Sequence, residues 1–186
     1  MKSFLFLLCS ISLAVACNNN VRTSDSNHSD NSTPALSTTE ETPDYPFQLK
    51  EAYKDWQPGN RKNAWVVMKM LKAWETKNVT ECASYFGDSV RLQLDYFEKV
   101  VKHDSLPAML EQSLADFASV KIQMDDWESV ISKDQQEEWV TLWYKQSWVD
   151  KKGKADSLAI TDDAKIVNGK IVVFDEKIRH FPAAKK

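Results

Sequence analysis

Glu176 is the side chain whose setting is hardest to reconcile with an inert role. Along the last apolar segment, alternation puts Val172, Phe174, Ile178 and His180 on one strand face, and Glu176 falls among them. A carboxyl buried there beside a polar partner has its pKa raised and can give or take a proton. Tyr144 is the partner the pattern offers. In Glu138 to Val149 the residues Val140, Leu142, Tyr144 and Trp148 share one parity, so Tyr144, Trp148, Phe174 and Glu176 are candidate lining for a single interior pocket. The competing reading, a Glu176 at the sheet rim paired with Lys or Arg, is the commoner fate of a carboxylate. Asp126, in the pair Asp125-Asp126, is a second acid–base candidate if a bulge aims it at that pocket, although solvated bulge residues are the more frequent kind. His103 reads as a loop residue before a helix cap, and His180 as a rim residue near the chain end. Cys82, in Glu81-Cys82-Ala83-Ser84, has no base or orienting partner in sequence and reads as a small core residue. The three His and this Cys have no metal-ligand spacing, so neither a metal nor another cofactor is expected.

The elements that must position these residues follow from period and punctuation. Asn60 to Lys77 repeats apolar residues at spacings of three and four, with Asn60 as its cap, and Val79 to Tyr85 is a second, short helix capped by Asn78. Val90, Leu92 and Leu94 alternate with polar residues as a strand, followed after Asp95 by an irregular connection. A third helix is expected from Ser105 to Phe117, with Pro107 in its first turn. Beyond Val120 the pattern is of long strands. The phase slip at Asp125-Asp126 predicts a β-bulge, and Asn168-Gly169 predicts a tight hairpin between the last two strands. Three helical pieces followed by antiparallel hairpins give an α+β domain over residues 43–186, with helices on one side of a curved sheet. The strand Glu138 to Val149 is apolar on both parities. Trp139 and Trp143 therefore predict that the outer sheet face is covered by the segment around Tyr45, Phe47 and Tyr53, or by a second copy of the chain.

Residues 1–16 have the build of a secretory signal: Lys2, an apolar run from Phe4 to Val15, and small residues before Cys17. The run is too short to span a bilayer as a helix, which takes roughly 20 apolar residues. Cys17 directly after Ala16 resembles the lipobox of bacterial lipoproteins, with Leu13 one position early. The resemblance implies acylation of Cys17 and an exported, lipid-anchored protein of the cell envelope. Residues 17–42, poor in apolar side chains and rich in Asn, Ser, Thr and Asp, read as a disordered tether. With a net charge of −3 and no Lys/Arg cluster, nucleic acid is not an expected partner.

The closing strands Trp139-Val140-Thr141-Leu142-Trp143-Tyr144 and Ile160 to Val167, and the hairpin Asn168-Gly169-Lys170-Ile171-Val172, resemble the nuclear transport factor 2-like superfamily, most closely its SnoaL-like branch. The resemblance covers roughly Arg61 to Phe181. It implies a cone: a strongly curved antiparallel sheet wrapped around about three N-terminal helices, with a pocket in the open end. Members include ketosteroid isomerase, cyclases, dehydratases and transport adaptors, so fold alone does not choose a function. By resemblance to the isomerases, which use an Asp base just after the first strand, Asp95 is the candidate base. It falls on the polar parity and lacks the Asp-Pro pair of those enzymes, so a strand-end turn carboxylate is the plainer reading. A small apolar-ligand-binding or partner-docking module is the function expected first, and an isomerase, cyclase or dehydratase acting on an apolar carbonyl compound is the alternative.

Overall fold

The structure, a computed structural model, describes residues 45–95 and 97–182. Cys17, the signal segment and the tether lie outside the described residues. A short strand, β1 (Gln57–Pro58), leads into helix α1 (Arg61–Glu75). Asn60 caps that helix by accepting a hydrogen bond from the Lys62 N–H at 3.0 Å, which satisfies one of the free donors of the first turn. The buried stripe of α1 is Ala64, Val67, Met70, Leu71 and Ala73. Helix α2 (Val79–Ser84) begins at Asn78, whose side chain accepts from the Glu81 N–H, and it buries Cys82 and Ala83. Strands β2 (Phe86–Leu94) and β3 (Phe97–Lys102) follow, then helix α3 (Leu106–Leu114). Four long strands complete the domain: β4 (Phe117–Ile131), β5 (Glu138–Asp150), β6 (Ala155–Val167) and β7 (Lys170–His180).

All seven strands form one curved, unclosed sheet in the order β1-β4-β5-β6-β7-β2-β3. Every neighbouring pair is antiparallel except β2 and β7, which run parallel. The core lies between the helices and the concave face, where Val67 and Leu71 meet Val90, Val140, Leu142, Ile160 and Ala164. The sheet thus supplies one wall of the core and the helices supply the other.

Two departures from the sequence reading have simple causes. The connection after Asp95 is a strand, because β3 pairs with β2 from Ser89↔Lys102 to Leu94↔Phe97. As an edge strand it buries only Val101, so it carries no apolar alternation to read. The third helix stops at Leu114, and Phe117 opens β4 instead of closing the helix.

Bulges set which side chains face inward. The expected bulge in β4 lies between Met124 and Asp126. It lets Met124 pair with Tyr144 and Trp127 with Leu142, although the two residues differ in parity. A second irregularity lies in the last hairpin. Ile166 pairs with Ile171, yet Lys165 pairs with Val173, so Val172 is the extra residue. Val172 therefore does not share the buried face with Phe174; Ile171 does, and both Ile171 and Phe174 are buried. The hairpin turn itself, Asn168-Gly169, has φ of 51° and 72°, the left-handed geometry that this dipeptide accommodates.

On the convex face Trp143 is exposed. Trp139 is half-buried, donates its indole N–H to Glu137 Oε2 at 3.0 Å, and lies under the Lys165 ammonium. Tyr45 and Phe47 do not bury themselves here, being 62% and 81% exposed. Tyr53 stacks on Trp56 and donates its hydroxyl to Glu137 Oε1 at 3.0 Å.

Candidate functional site

A cavity of about 510 Å³ opens between the helices and the concave sheet face. Met70, Leu71 and Trp74 enter it from α1, Met109 and Leu110 from α3, and Leu92 and Leu94 from β2. The sheet contributes Phe117, Tyr144, Trp148, Leu158, Ile160, Phe174 and Ile178. Such a volume, mostly apolar with few polar groups, is that of a small-molecule site. The Trp74 indole N–H donates to Gln146 Oε1 at 2.8 Å, so the indole donor and the amide oxygen of two lining residues are already paired. The ionisable residues among the described lining are Asp95, Glu176, Tyr144 and Cys82; no Lys, Arg or His is among them.

Tyr144, Trp148, Phe174 and Glu176 all line this one cavity. Tyr144 is almost fully buried, and Trp148 packs against Phe117 with ring centroids 5.6 Å apart. Asp95 also borders the cavity, as an exposed turn residue directly after β2. Asp126 is elsewhere. It pairs across the sheet with Trp143, is exposed, and accepts a hydrogen bond from the Trp127 N–H at 2.8 Å. His103 begins the 3-10 turn before α3, and His180 is exposed at the end of β7. Burial pushes the Cys82 thiol up to about 12, with the Glu81 charge adding to the shift, so its reactive thiolate is suppressed.

The residue that sequence reasoning missed is Asp162. It is fully buried on the concave face of β6, in line with Ile160, Ala164 and Ile166. Tyr144 donates its hydroxyl to Asp162 Oδ2 at 2.8 Å, while Asp162 Oδ1 is buried with no hydrogen-bond partner. Directly across from it in the sheet stands Glu176. Burial first, and the Glu176 charge second, hold the Asp162 carboxyl well above the usual carboxylate range. Glu176 is itself raised, by burial and then by Asp95. Tyr144 is held well above its ordinary value by burial and then by the Asp162 charge. Two carboxylates facing each other in a dry place repel, so the arrangement favours the protonated acid at Asp162.

The next residue along shows what is missing. Asp163 points to the convex face, opposite Asp175. There Lys177 Nζ lies 2.7 Å from Asp163 Oδ2 and 2.8 Å from Asp175 Oδ2, and Thr141 donates its hydroxyl to Asp163 Oδ1 at 2.6 Å. The outer acid pair has a cation between its members; among the described residues, the inner pair of Asp162 and Glu176 has no ion-pair partner. The signal for Asp162 was present in sequence as a carboxyl on the parity of Leu158, Ile160, Ala164 and Ile166. The polar triplet Thr161-Asp162-Asp163 masks it.

Solved structures share this architecture. A nuclear transport factor 2-like protein of unknown function from Burkholderia pseudomallei superposes with a TM-score of 0.53 at 14% identity, covering 63% of this chain and 91% of that one. The fold is nuclear transport factor 2-like. A Novosphingobium aromaticivorans protein provisionally described as a scytalone dehydratase has a TM-score of 0.55 at 12% identity, over 68% of this chain and 93% of its own. An LEH-like epoxide hydrolase of M. tuberculosis gives 0.52 at 9% identity, over 64% and 84%. No family model matches the sequence, and no curated protein matches it. At these identities the likeness establishes the cone and leaves its chemistry to the residues above.

The buried acid gives a signed prediction. Because folding raises the Asp162 pKa, the folded protein keeps a proton that the unfolded chain releases above about pH 3.9. Stability should therefore fall as pH rises from there to the folded-state pKa, by up to ~1.4 kcal/mol per pH unit. Asp162→Asn keeps an acceptor for Tyr144 and cannot ionise. In urea unfolding, the stability of Asp162→Asn relative to the native protein should climb as the pH rises above about 4. Parallel curves would show that Asp162 ionises normally.

Proposed function

We propose that the domain is a binding module for a small, largely apolar molecule, held at the cell envelope by a lipid on Cys17. The observation that carries the binding reading is the cavity: about 510 Å³, walled by aromatic and aliphatic side chains, with only a few polar groups among them. The anchor rests on the sequence around Cys17 alone.

A second reading, an isomerase, cyclase or dehydratase acting on an apolar carbonyl compound, is favoured by the Tyr144–Asp162 hydrogen bond with Glu176 across from it. Binding is the better supported of the two. A general acid or base must come within about 2.6–3.2 Å of the proton it moves. Asp162 is fully buried and outside the cavity lining, and the Tyr144 hydroxyl is already committed to it. Glu176 and the exposed Asp95 are then the carboxyls of the described cavity lining.

Native mass spectrometry of the protein purified from the cells that make it tests the binding reading. A retained small molecule, released on denaturation, is expected. A bare polypeptide mass, together with tryptophan fluorescence unresponsive to added apolar compounds, would overturn it, since Trp74 and Trp148 line the cavity. For the anchor, Cys17→Ala should move the protein from the membrane pellet to the soluble fraction. Its retention in the pellet after a carbonate wash would contradict the anchor.

A further inference from the structure

We infer that the ligand of this cavity is an organic cation: a lipophilic amine or ammonium compound whose charged head sits at Glu176, with its apolar body among the aromatic side chains. The inference rests on the binding reading above and deepens it. Three observations converge on the sign of the charge.

The first is the composition of the walls. Glu176 and Asp95 line the cavity, and no Lys, Arg or His is found among its described lining. Lys177 reaches the adjoining surface beside Glu176, but Asp163 and Asp175 hold its ammonium. Within the described lining a ligand carboxylate or phosphate would therefore face two carboxyls and no free cation, whereas an ammonium group would meet both carboxyls. The second is the aromatic character of the space around them. Tyr144, Trp148, Phe97 and Phe174 all line the same volume, and aromatic rings attract a desolvated ammonium through their quadrupoles.

The third is the comparison the sheet makes with itself. Asp163 and Asp175 stand opposite each other on the convex face, and the Lys177 ammonium bridges them. One residue along each strand, Asp162 and Glu176 make the same opposed pair on the concave face, with no ammonium between them. Glu176 forms no ion pair or side-chain hydrogen bond among the described residues, and its residue opens on the cavity. A bound ammonium would give Glu176, the member of the inner pair that lines the cavity, the counter-ion that Lys177 gives the outer pair. It would also relieve the burial and the Asp95 repulsion that raise the Glu176 carboxyl. A bare metal ion fits poorly. Calcium takes about 6–8 oxygen ligands, and no group of three His, Cys, Asp or Glu residues able to hold a metal exists among the described residues.

Three rigid probes of one shape separate the possibilities: adamantylmethylamine, adamantylmethanol and adamantanecarboxylate, titrated calorimetrically into the purified protein at neutral pH. The amine should bind at least about tenfold more tightly than the alcohol, with the carboxylate weakest. In Glu176→Gln the advantage of amine over alcohol should shrink toward unity, and in Asp95→Asn it should fall by a smaller factor. Far-UV circular dichroism of each variant establishes that it is folded. Equal affinity for amine and alcohol would overturn the cation inference and leave the binding reading intact. Binding by none of the three would overturn both.

Discussion

The site depends on one extra residue in the final hairpin. From the turn at Asn168-Gly169, Val167 pairs with Lys170 and Ile166 with Ile171. Without the irregularity at Val172 that register would continue and set Asp162 against Asp175, with Glu176 turned to the other face. With it, Asp162 meets Glu176 inside and Asp163 meets Asp175 outside. A single-residue change of register flips every later side chain of a strand, so this bulge decides which acids share Lys177 and which are enclosed. The β2–β7 pairing fits the same register, with Leu94 opposite Glu176 at the cavity.

Burial of the inner pair is costly, and its surroundings show how the cost is reduced. Tyr144 offers Asp162 one hydrogen bond, and Asp162 Oδ1 is left without any. A carboxylate so placed would be strongly unfavourable, whereas a protonated acid is tolerable. The helices keep water from the deeper acid by packing Val67, Leu71 and Cys82 into the same core. The cavity beside it is lined in part by Trp74, Gln146 and Trp148, side chains with an apolar body and a polar end. A mostly apolar wall with a few polar groups suits a ligand with one polar end.

Much of this architecture is legible in the sequence because it rests on local rules. The Asn60 and Asn78 caps, the Asn168-Gly169 turn and the phase slip at Asp125-Asp126 are short-range signals, and each matches an element of the structure. What escaped the pattern is what tertiary pairing decides. Strand β3 buries one residue, so its pairing with β2 leaves no alternation to find. The Val172 bulge is invisible in an unbroken apolar run, which is why Val172 and Phe174 look like residues of one face. Asp162 is hidden because its neighbours Thr161 and Asp163 are polar too, and only the flanking Ile160 and Ala164 betray that it points inward. Conversely, Asp126 looks like a site residue by its position in a bulge, and the pairing with Trp143 directs it outward.

The central claim is that Glu176 is a half-buried acid held without a counter-ion until a ligand brings one. Carbon-13 NMR of its carboxyl, titrated with pH in the free protein and again with saturating adamantylmethylamine, reads that claim directly. In the free protein the midpoint should lie above the ordinary value of about 4.3, and the amine should draw it downward. An ordinary midpoint in the free protein, or one that the bound amine leaves in place, would contradict the account.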